Sequence, residues 1–528
     1  MHVQRALGRV FLGAIAVGAL GALGAGPVSI AAQQPGVADE TLLYEAPPGF
    51  EPENRRVLPG LSVMYGRWWT FWGSADGQRV AMPAKREGKW SLLGAGTPSG
   101  EYDEIEYAVF SPDSRRLAVL ARRGKQWRVT LDGVEGPEFE QIVQVLFSPD
   151  SKRLMYAGVR RGVWRLVDNG SEQGSYQKIN WFAFSSDGAR FVCGVKRRER
   201  WVVLADGVEG PEWDDVWYPN FTADGKRLVY GARKDDAWRV VLDGREGPPF
   251  KSVLYPAVSR DGARLAYMAL PSHADAIPKL EYFSLKDSPA GIRQSVGRAF
   301  ILDTYKPSLG LGVLSNVAGP WSWWIPVVDG VSGPTAAVIA GPIFDSTGTR
   351  VVHLAGDHLA VGVYVNGTKV VDVTGANLGL GPLVAIPLQT FVLSPDGSRL
   401  GAAFRFAAQL PGRTGPLGLG KVFTSGHFAA VVTLGDTVAA PRVKAGPLHA
   451  TGRLGAISNP QFSPDGRHFG YEIVEEEPPV FRVWVDERGG PGYDQLLRGS
   501  LRVTDDSVSY VARRDRRFVR VSQPIPVR

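Results

Sequence analysis

The sequence predicts an all-β fold, a β-propeller of about ten four-stranded repeats of 37 residues, and three periodic series predict it. Asp76, Asp113, Asp150, Asp187, Asp224 and Asp261 recur at intervals of 37 residues. Trp90, Trp127, Trp164, Trp201 and Trp238 keep that interval fourteen residues further on, and Tyr65, Tyr102, Phe139, Tyr176, Trp213 and Phe250 keep it eleven residues earlier. Three registers on one period specify a tandem array of a single supersecondary unit.

Each element of the unit has its own signal. Gln144 to Ser148 alternates apolar residues, Pro149-Asp150-Ser151 turns the chain, and Leu154, Tyr156 and Gly158 return along one face at period two, which is a hairpin. Val163 to Val167 is a second short apolar segment. Asp168-Asn169-Gly170 then supplies residues that tolerate positive φ, and a strand around Tyr176 to Ile179 leads into the next unit. Units of four short strands cannot cover both faces alone, so they stack face to face, and radial stacking leaves only short edges open. Two-residue alternation excludes a helical solenoid of similar period.

Beyond residue 320 the pattern continues at a longer pitch. Trp324 with Asp329-Gly330 repeats the spacing of Trp127 with Asp132-Gly133, and Phe344 with Arg350 repeats that of Phe147 with Arg153, which puts Thr347 in the Asp position. Asp396, Asp465 and Asp506 mark three more units, ten in all. That exceeds the usual roughly four to eight blades, so the array forms either one large ring or two propellers. The long loss of pattern between residues 270 and 320 favours a division there. The last unit shows strands at Ser507 to Ala512 and Arg517 to Val521 and then stops. Leu61 to Gly66, with Tyr65 in the fourth-strand register, is expected to complete it.

Phe147-Ser148-Pro149-Asp150, Phe184-Ser185-Ser186-Asp187-Gly188, Leu393-Ser394-Pro395-Asp396-Gly397 and Phe462-Ser463-Pro464-Asp465-Gly466 share a phrase. Leu154, Leu228 and Leu265, then Tyr156, Tyr230 and Tyr267, follow it in register. These residues resemble the WD40-like repeat of the TolB type (PD40), whose hallmark is Phe-Ser-Pro-Asp-Gly-x-x-Leu-x-Tyr. The resemblance covers most of residues 61 to 520 and implies a propeller. Propellers of this type serve as binding platforms and as accessory domains of peptidases, so no single activity is implied. The sequence departs from TolB in lacking a separate α/β domain ahead of the propeller, so TolB's partners are not implied either.

Residues 1–32 read as a secretory signal peptide, since Arg5 and Arg9 precede the apolar run Val10 to Gly24 and Ser29-Ile30-Ala31 offers small residues for cleavage. An uncleaved anchor is the alternative. Residues 33–60 read as a linker, 61–270 as regular repeats, 271–320 as an insertion or degenerate repeat, and 321–528 as divergent repeats. No later segment is long and apolar enough for a transmembrane helix. The chain is therefore expected to be exported, with a periplasmic, cell-surface or secreted destination. With 44% hydrophobic residues and 15 Trp it can bury a large core. The net charge of +7 falls by only two on removal of the leader. Cys193 is the single cysteine, so packing rather than disulfides must hold the fold.

The repeated Asp reads as turn chemistry, bonding its own backbone, with the Arg three positions on pairing with it across the hairpin. The Trp series reads as blade packing, and Cys193 and His353 occupy the core register of Tyr156. Candidate binding residues lie instead at the tips between second and third strands. These are Lys85 and Arg86; Arg122, Arg123 and Lys125; Arg160 and Arg161; and Lys196, Arg197, Arg198 and Arg200. Because antiparallel strands alternate direction, all these tips share one face of the disc and the Ser-Pro-Asp turns share the other. A basic face attracts an anionic partner: an acidic protein, an anionic envelope polymer or phospholipid headgroups. Nucleic acid does not suit an exported chain with no aromatic strand platform. Ser272 to Pro320 and Arg405 to Ser425 also insert between second and third strands, on the same face.

No Gly-x-Ser-x-Gly elbow, His-Glu-x-x-His or Cys-x-x-Cys arrangement occurs, so no catalytic residue, metal or cofactor is expected. The innermost strands are expected to turn Val109, Val145, Ala183 and Ala257, rather than carboxylates, towards the channel. The expected function is that of an exported, non-catalytic scaffold binding a protein or an anionic envelope polymer through its basic loop face. A polysaccharide-active propeller enzyme, hydrolase or lyase, and a structural component of an envelope assembly are the alternatives.

Overall fold

Each regular unit folds into the pair of hairpins that its turn residues prescribe. In the third unit the strands Gln141–Phe147, Leu154–Arg160, Val163–Asp168 and Ser171–Tyr176 pair in sequence order. Ser148 Oγ donates to the Asp150 carboxylate (2.6 Å) and accepts the Arg153 N–H (2.9 Å), while the Lys152 N–H also reaches Asp150 (3.2 Å). The second turn puts Asn169 and Gly170 at φ 47° and 87°, the double left-handed step that matches the twist of a two-residue hairpin. In the seventh unit the turn roles are exchanged: Asp345 accepts from Thr347 Oγ1 (2.9 Å) and from the Arg350 N–H (3.2 Å).

The computed structural model describes residues 38–48, 51–52, 71–94, 100–271, 324–336, 338–356, 361–373, 383–414, 421–434, 443–445, 457–475, 480–497 and 499–525. The leader, Leu61 to Gly66, and most of the 271–320 stretch with its Tyr282, Phe283, Phe300 and Tyr305 lie outside the described residues. The described residues form ten antiparallel sheets, nine of four strands and one of five. Blade 1 has a split first strand, Glu51–Pro52 and Trp72–Gly73, both paired to Val80–Arg86. Blades 2 to 5 begin at Glu104–Phe110, Gln141–Phe147, Lys178–Phe184 and Asp215–Phe221. Blades 6 to 9 begin at Ser252–Val258, Val338–Phe344, Leu383–Leu393 and Ile457–Phe462.

Blade 10 settles the closure of the ring. Its inner edge is Gln495–Leu496 and Arg502–Val503, both on Ser507–Arg514, followed by Arg517–Pro524. Its outermost strand is Asp39–Glu45, from the opposite end of the chain. The expectation of an N-terminal closing strand is therefore correct in kind but not in residues, since Asp39–Glu45 rather than Leu61 to Gly66 pairs with Arg517–Pro524. The first strands of blades 6 and 7 pack together. Ala46, Phe71, Val80, Met82 and Ala84 share a core with Leu497, Val511 and Phe518 of the last blade. The favoured division near residues 270–320 does not occur, and the ten blades make one ring.

Aromatic residues fill the joints between blades. The third-strand Trp faces the fourth-strand aromatic across the ladder, as in Trp164 with Tyr176 and Trp201 with Trp213. That aromatic then meets the second-strand Tyr of the following blade edge-on: Phe139 with Tyr156 at 6.4 Å, Trp213 with Tyr230 at 6.3 Å, Phe250 with Tyr267 at 6.0 Å. Cys193 is buried in the same register, where burial raises its thiol pKa. His353 is fully buried too, stacked on Tyr364 at 4.9 Å, and burial pushes its pKa down to about 4.

The turns make the ring sensitive to acid. Hydrogen bonds from Ser148 and then from the Lys152 N–H hold Asp150 below the usual carboxylate range, and the Ser394 and Ser398 hydroxyls hold Asp396 down at about 2. A carboxylate with a depressed folded-state pKa stabilises above its unfolded value, near 3.9, and that contribution disappears as pH falls through the folded value. The thermal midpoint is expected to stay level with respect to these groups from pH 7 to about pH 4 and to drop between about pH 4 and pH 2. Calorimetry across that range checks it; a midpoint unchanged at pH 2 would show that the turn carboxylates are not coupled to folding.

Candidate functional site

The face that carries the Ser-Pro-Asp turns uses its charges internally. Arg153 pairs with Asp168 (2.8 Å) and lies over the Phe184 ring of the next blade at 5.3 Å. Arg190 pairs with Asp206 (2.8 Å), lies over Phe221 at 4.7 Å, and donates to the Lys226 carbonyl across the joint (2.8 Å). Arg264 repeats this with Asp329 (2.9 Å), Phe344 (5.6 Å) and the Thr349 carbonyl (2.6 Å). This corrects the expected partner. In Asp150 and its counterparts the Ser hydroxyl and a backbone N–H already hold the carboxylate, so the Arg turns to the Asp of the second turn and reaches forward into the next blade. Each half-exposed link is worth on the order of 1 kcal/mol, but the link repeats around the ring.

The opposite face carries the candidate cations, and many of them are paired. Arg122 bonds Glu104 (2.9 Å) and lies over Trp127 at 5.7 Å. Arg123 pairs with Glu135 and Arg160 with Glu172, and Arg197 pairs with Glu209 (3.0 Å). These three guanidinium groups also cover the fourth-strand aromatics Tyr102, Phe139 and Tyr176 at 4.7, 5.1 and 4.9 Å. Lys196 pairs with Glu199 (2.8 Å), Arg200 with Asp214, and Arg86 with Glu87 (3.8 Å), while Lys85 lies over Trp90 at 5.6 Å. Lys125, Arg161 and Arg198 are exposed and have no ion pair among the described residues. Arg161 and Arg198 sit at φ 52° and 47° on the apex of their turns.

Sequence reasoning missed the acidic partners, although their signal is plain in retrospect. Glu135, Glu172, Glu209 and Glu246 recur every 37 residues, in step with the cations they neutralise. Among the described residues the tip face is consequently a mosaic of both signs, and of the candidate cations Lys125, Arg161 and Arg198 stand unpaired on it.

Two long segments leave from this same face. Leu265–Leu270 and Ile325–Val328 are the second and third strands of blade 6, so residues 271–324 connect them on the tip side. In blade 8 the second and third strands are Arg399–Thr414 and Lys421–Thr433, paired out to Thr414 and Lys421. The second strand has 16 residues where blade 3 has seven. The surplus extends the hairpin by about 30 Å at ~3.4 Å per residue. The expected insertion Arg405 to Ser425 is thus, over its described residues 405–414 and 421–425, a β-arm.

The channel wall also departs from expectation. Every regular first strand contains a bulge, between Val143 and Leu146, Asn180 and Phe182, and Trp217 and Asn220. The extra residue breaks the two-residue alternation, so Val145 and Ala183 are buried in the blade packing instead of lining the channel. Tyr107, Gln144, Trp181 and Tyr218, again one 37-residue register, are left partly exposed on the innermost strands. Trp181 and Tyr218 meet at 4.8 Å, and the Gln144 amide donates to the Phe182 carbonyl at 2.7 Å. Among the described residues no three His, Cys, Asp or Glu side chains gather as a metal site would require.

No family model matches the chain, and no curated protein matches it. Among solved structures it is similar to the Dos1 propeller, with 12% identity, a TM-score of 0.31, and coverage of 63% of this chain and 89% of that one. It is similar to TolB from Acinetobacter baumannii at 13% identity and TM-score 0.24, over 55% of this chain and 74% of that one. It is similar also to the Cps50 (Swd1) β-propeller domain from Myceliophteria thermophila at 11% identity and TM-score 0.24, over 56% and 92%. The propeller assignment of this chain rests on its own ten sheets and their closure into a ring.

Proposed function

We propose that the protein is a non-catalytic recognition scaffold, exported to the cell envelope or beyond it, that binds a protein or an anionic envelope polymer through its tip face. The observation that carries this reading is the difference between the two faces. On the turn face the arginines are tied into joints between blades. On the tip face Lys125, Arg161 and Arg198 project without ion partners, and the β-arm of blade 8 and the 271–324 connection leave from the same side. A rigid ring that presents long segments on one face suits binding, since loops on a fixed scaffold supply most recognition surfaces. The interleaved charges favour a protein partner over a uniform polyanion, because patterned charge selects register while a neutralised mosaic offers little net field.

The test is a charge reversal confined to the three candidate cations that hold no ion pair: K125E, R161E and R198E together. These side chains hold no blade joint, so the fold and its thermal midpoint are expected to remain. Capture of the envelope partner by the mature chain is expected to fall at least about tenfold and to lose its salt dependence. Equal capture by both proteins at low and high salt would refute the tip-face reading. Reversing Arg123 or Arg197 instead would confuse the result, because each also packs on a buried aromatic ring.

A further inference from the structure

Blades 3, 5 and 6 place Tyr156, Tyr230 and Tyr267 at one position of the second strand, and blade 2 places Val119 there. In blade 3 the tyrosine fills the joint with the blade before it. Tyr156 packs edge-on to Phe139, shares a core with Val129 and Val167, and brings its hydroxyl against Gly136. One repeat earlier the positions of Val129, Phe139 and Val167 are held by Leu92, Tyr102 and Thr130. Those three side chains and Val119 line a pocket of about 190 Å³ between blades 1 and 2, with the Arg123–Glu135 ion pair also on its wall. The pocket is the room that the missing ring leaves.

Its walls differ from those of the sibling joint in a second way. The side chains of Phe139 and Val167 have no polar atoms, whereas Tyr102 Oη and Thr130 Oγ1 bring two hydroxyls, 3.3 Å apart, on residues only 2% and 5% exposed. A joint that merely tolerated a void would keep apolar walls, since buried hydroxyls cost free energy unless partners meet them. The bond between the two uses one O–H donor and leaves the other for something in the pocket.

We propose that this pocket binds a 4-hydroxyphenyl group, a ring of the kind that the sibling blades supply from within, with its hydroxyl on the Tyr102–Thr130 pair and its face on Leu92 and Val119. A cavity of about 150 Å³ engineered into another protein takes up benzene, so this volume suits one ring with small substituents. The group belongs either to a free phenolic compound or to a tyrosine side chain of a partner. Both present the same ring and hydroxyl.

The experiment is a calorimetric titration of the mature chain with p-cresol, beside toluene as the ring without the hydroxyl. Saturable binding is expected at about 1 mM or tighter, with toluene roughly fivefold weaker. V119Y supplies the sibling ring and is expected to abolish binding; V119F serves the same purpose should V119Y not fold. T130V is expected to weaken p-cresol about fivefold and leave toluene unchanged. N-acetyltyrosinamide binding as well as p-cresol points to a partner's tyrosine, and its exclusion points to a free phenolic; each supports the site. No saturable heat up to about 10 mM p-cresol, toluene equal to p-cresol, or full affinity in V119Y and V119F would overturn the proposal.

Discussion

Starting the chain at residue 47 instead of 33 is expected to destabilise the protein by about 5 kcal/mol or more, the largest effect of any single change considered. Residues 39–45 supply the fourth strand of the last blade, and Ala46 continues the contact with its N–H on the Arg516 carbonyl (2.9 Å). Glu40 accepts a hydrogen bond from Tyr493 Oη (2.7 Å) and an ion pair from Arg514 (3.1 Å), and Tyr44 packs on Phe518 at 6.4 Å. Without this strand the edge of Arg517–Pro524 loses its backbone partners, and the core shared by the first and last blades loses Ala46. Calorimetry should show a lower and broader transition, and a peptide of residues 38–47 added in trans should restore part of the loss. An unchanged transition would mean that the ring does not depend on closure.

Phe139→Ala is expected to cost about 3–5 kcal/mol, the usual range for deleting a buried aromatic ring. Phe139 is fully buried, meets Tyr156 edge-on, and lies so close to Gly158 that a Cβ there would collide with its ring. It also supports the tip, because the Arg160 guanidinium rests on it at 5.1 Å before reaching Glu172. The substitution should therefore both lower the urea midpoint and weaken any binding that depends on the neighbouring Arg161. Phe139→Leu retains most of the volume and should cost less than about 2 kcal/mol. Equal losses for both substitutions would show that filling the volume is not enough and that the aromatic ring itself is required.

Most of the architecture is legible in the sequence because it rests on local turn chemistry repeated at a fixed interval. The Ser-Pro-Asp and Asp-Gly turns lie where their residues demand, and even Thr347 keeps its place by trading roles with Asp345. Long-range choices were harder to read. The aromatic register points to Tyr65 for the closing strand, but the strand that pairs carries Tyr44 beside a register shift at Leu42, which conceals the period. Val145 and Ala183 leave the channel wall for a related reason. A bulge with Gln144 at φ 52° moves the following side chains to the opposite face, and a strict two-residue alternation cannot anticipate it. For the tip face, a reading confined to the cations missed Glu135, Glu172 and Glu209, whose contacts arise only when a fourth strand folds back across its blade.

The forward reach of Arg153, Arg190 and Arg264 gives the joints they span a head and a tail. Such contacts join unlike surfaces, and like any head-to-tail arrangement they name the next neighbour without naming how many neighbours there will be. Inserting one whole 37-residue unit therefore offends no contact, because the newcomer grips the blade ahead and is gripped by the blade behind. The number ten is then a matter of wedge angle and of where the two chain ends meet, and a circle of this kind can gain a member without inventing a new surface.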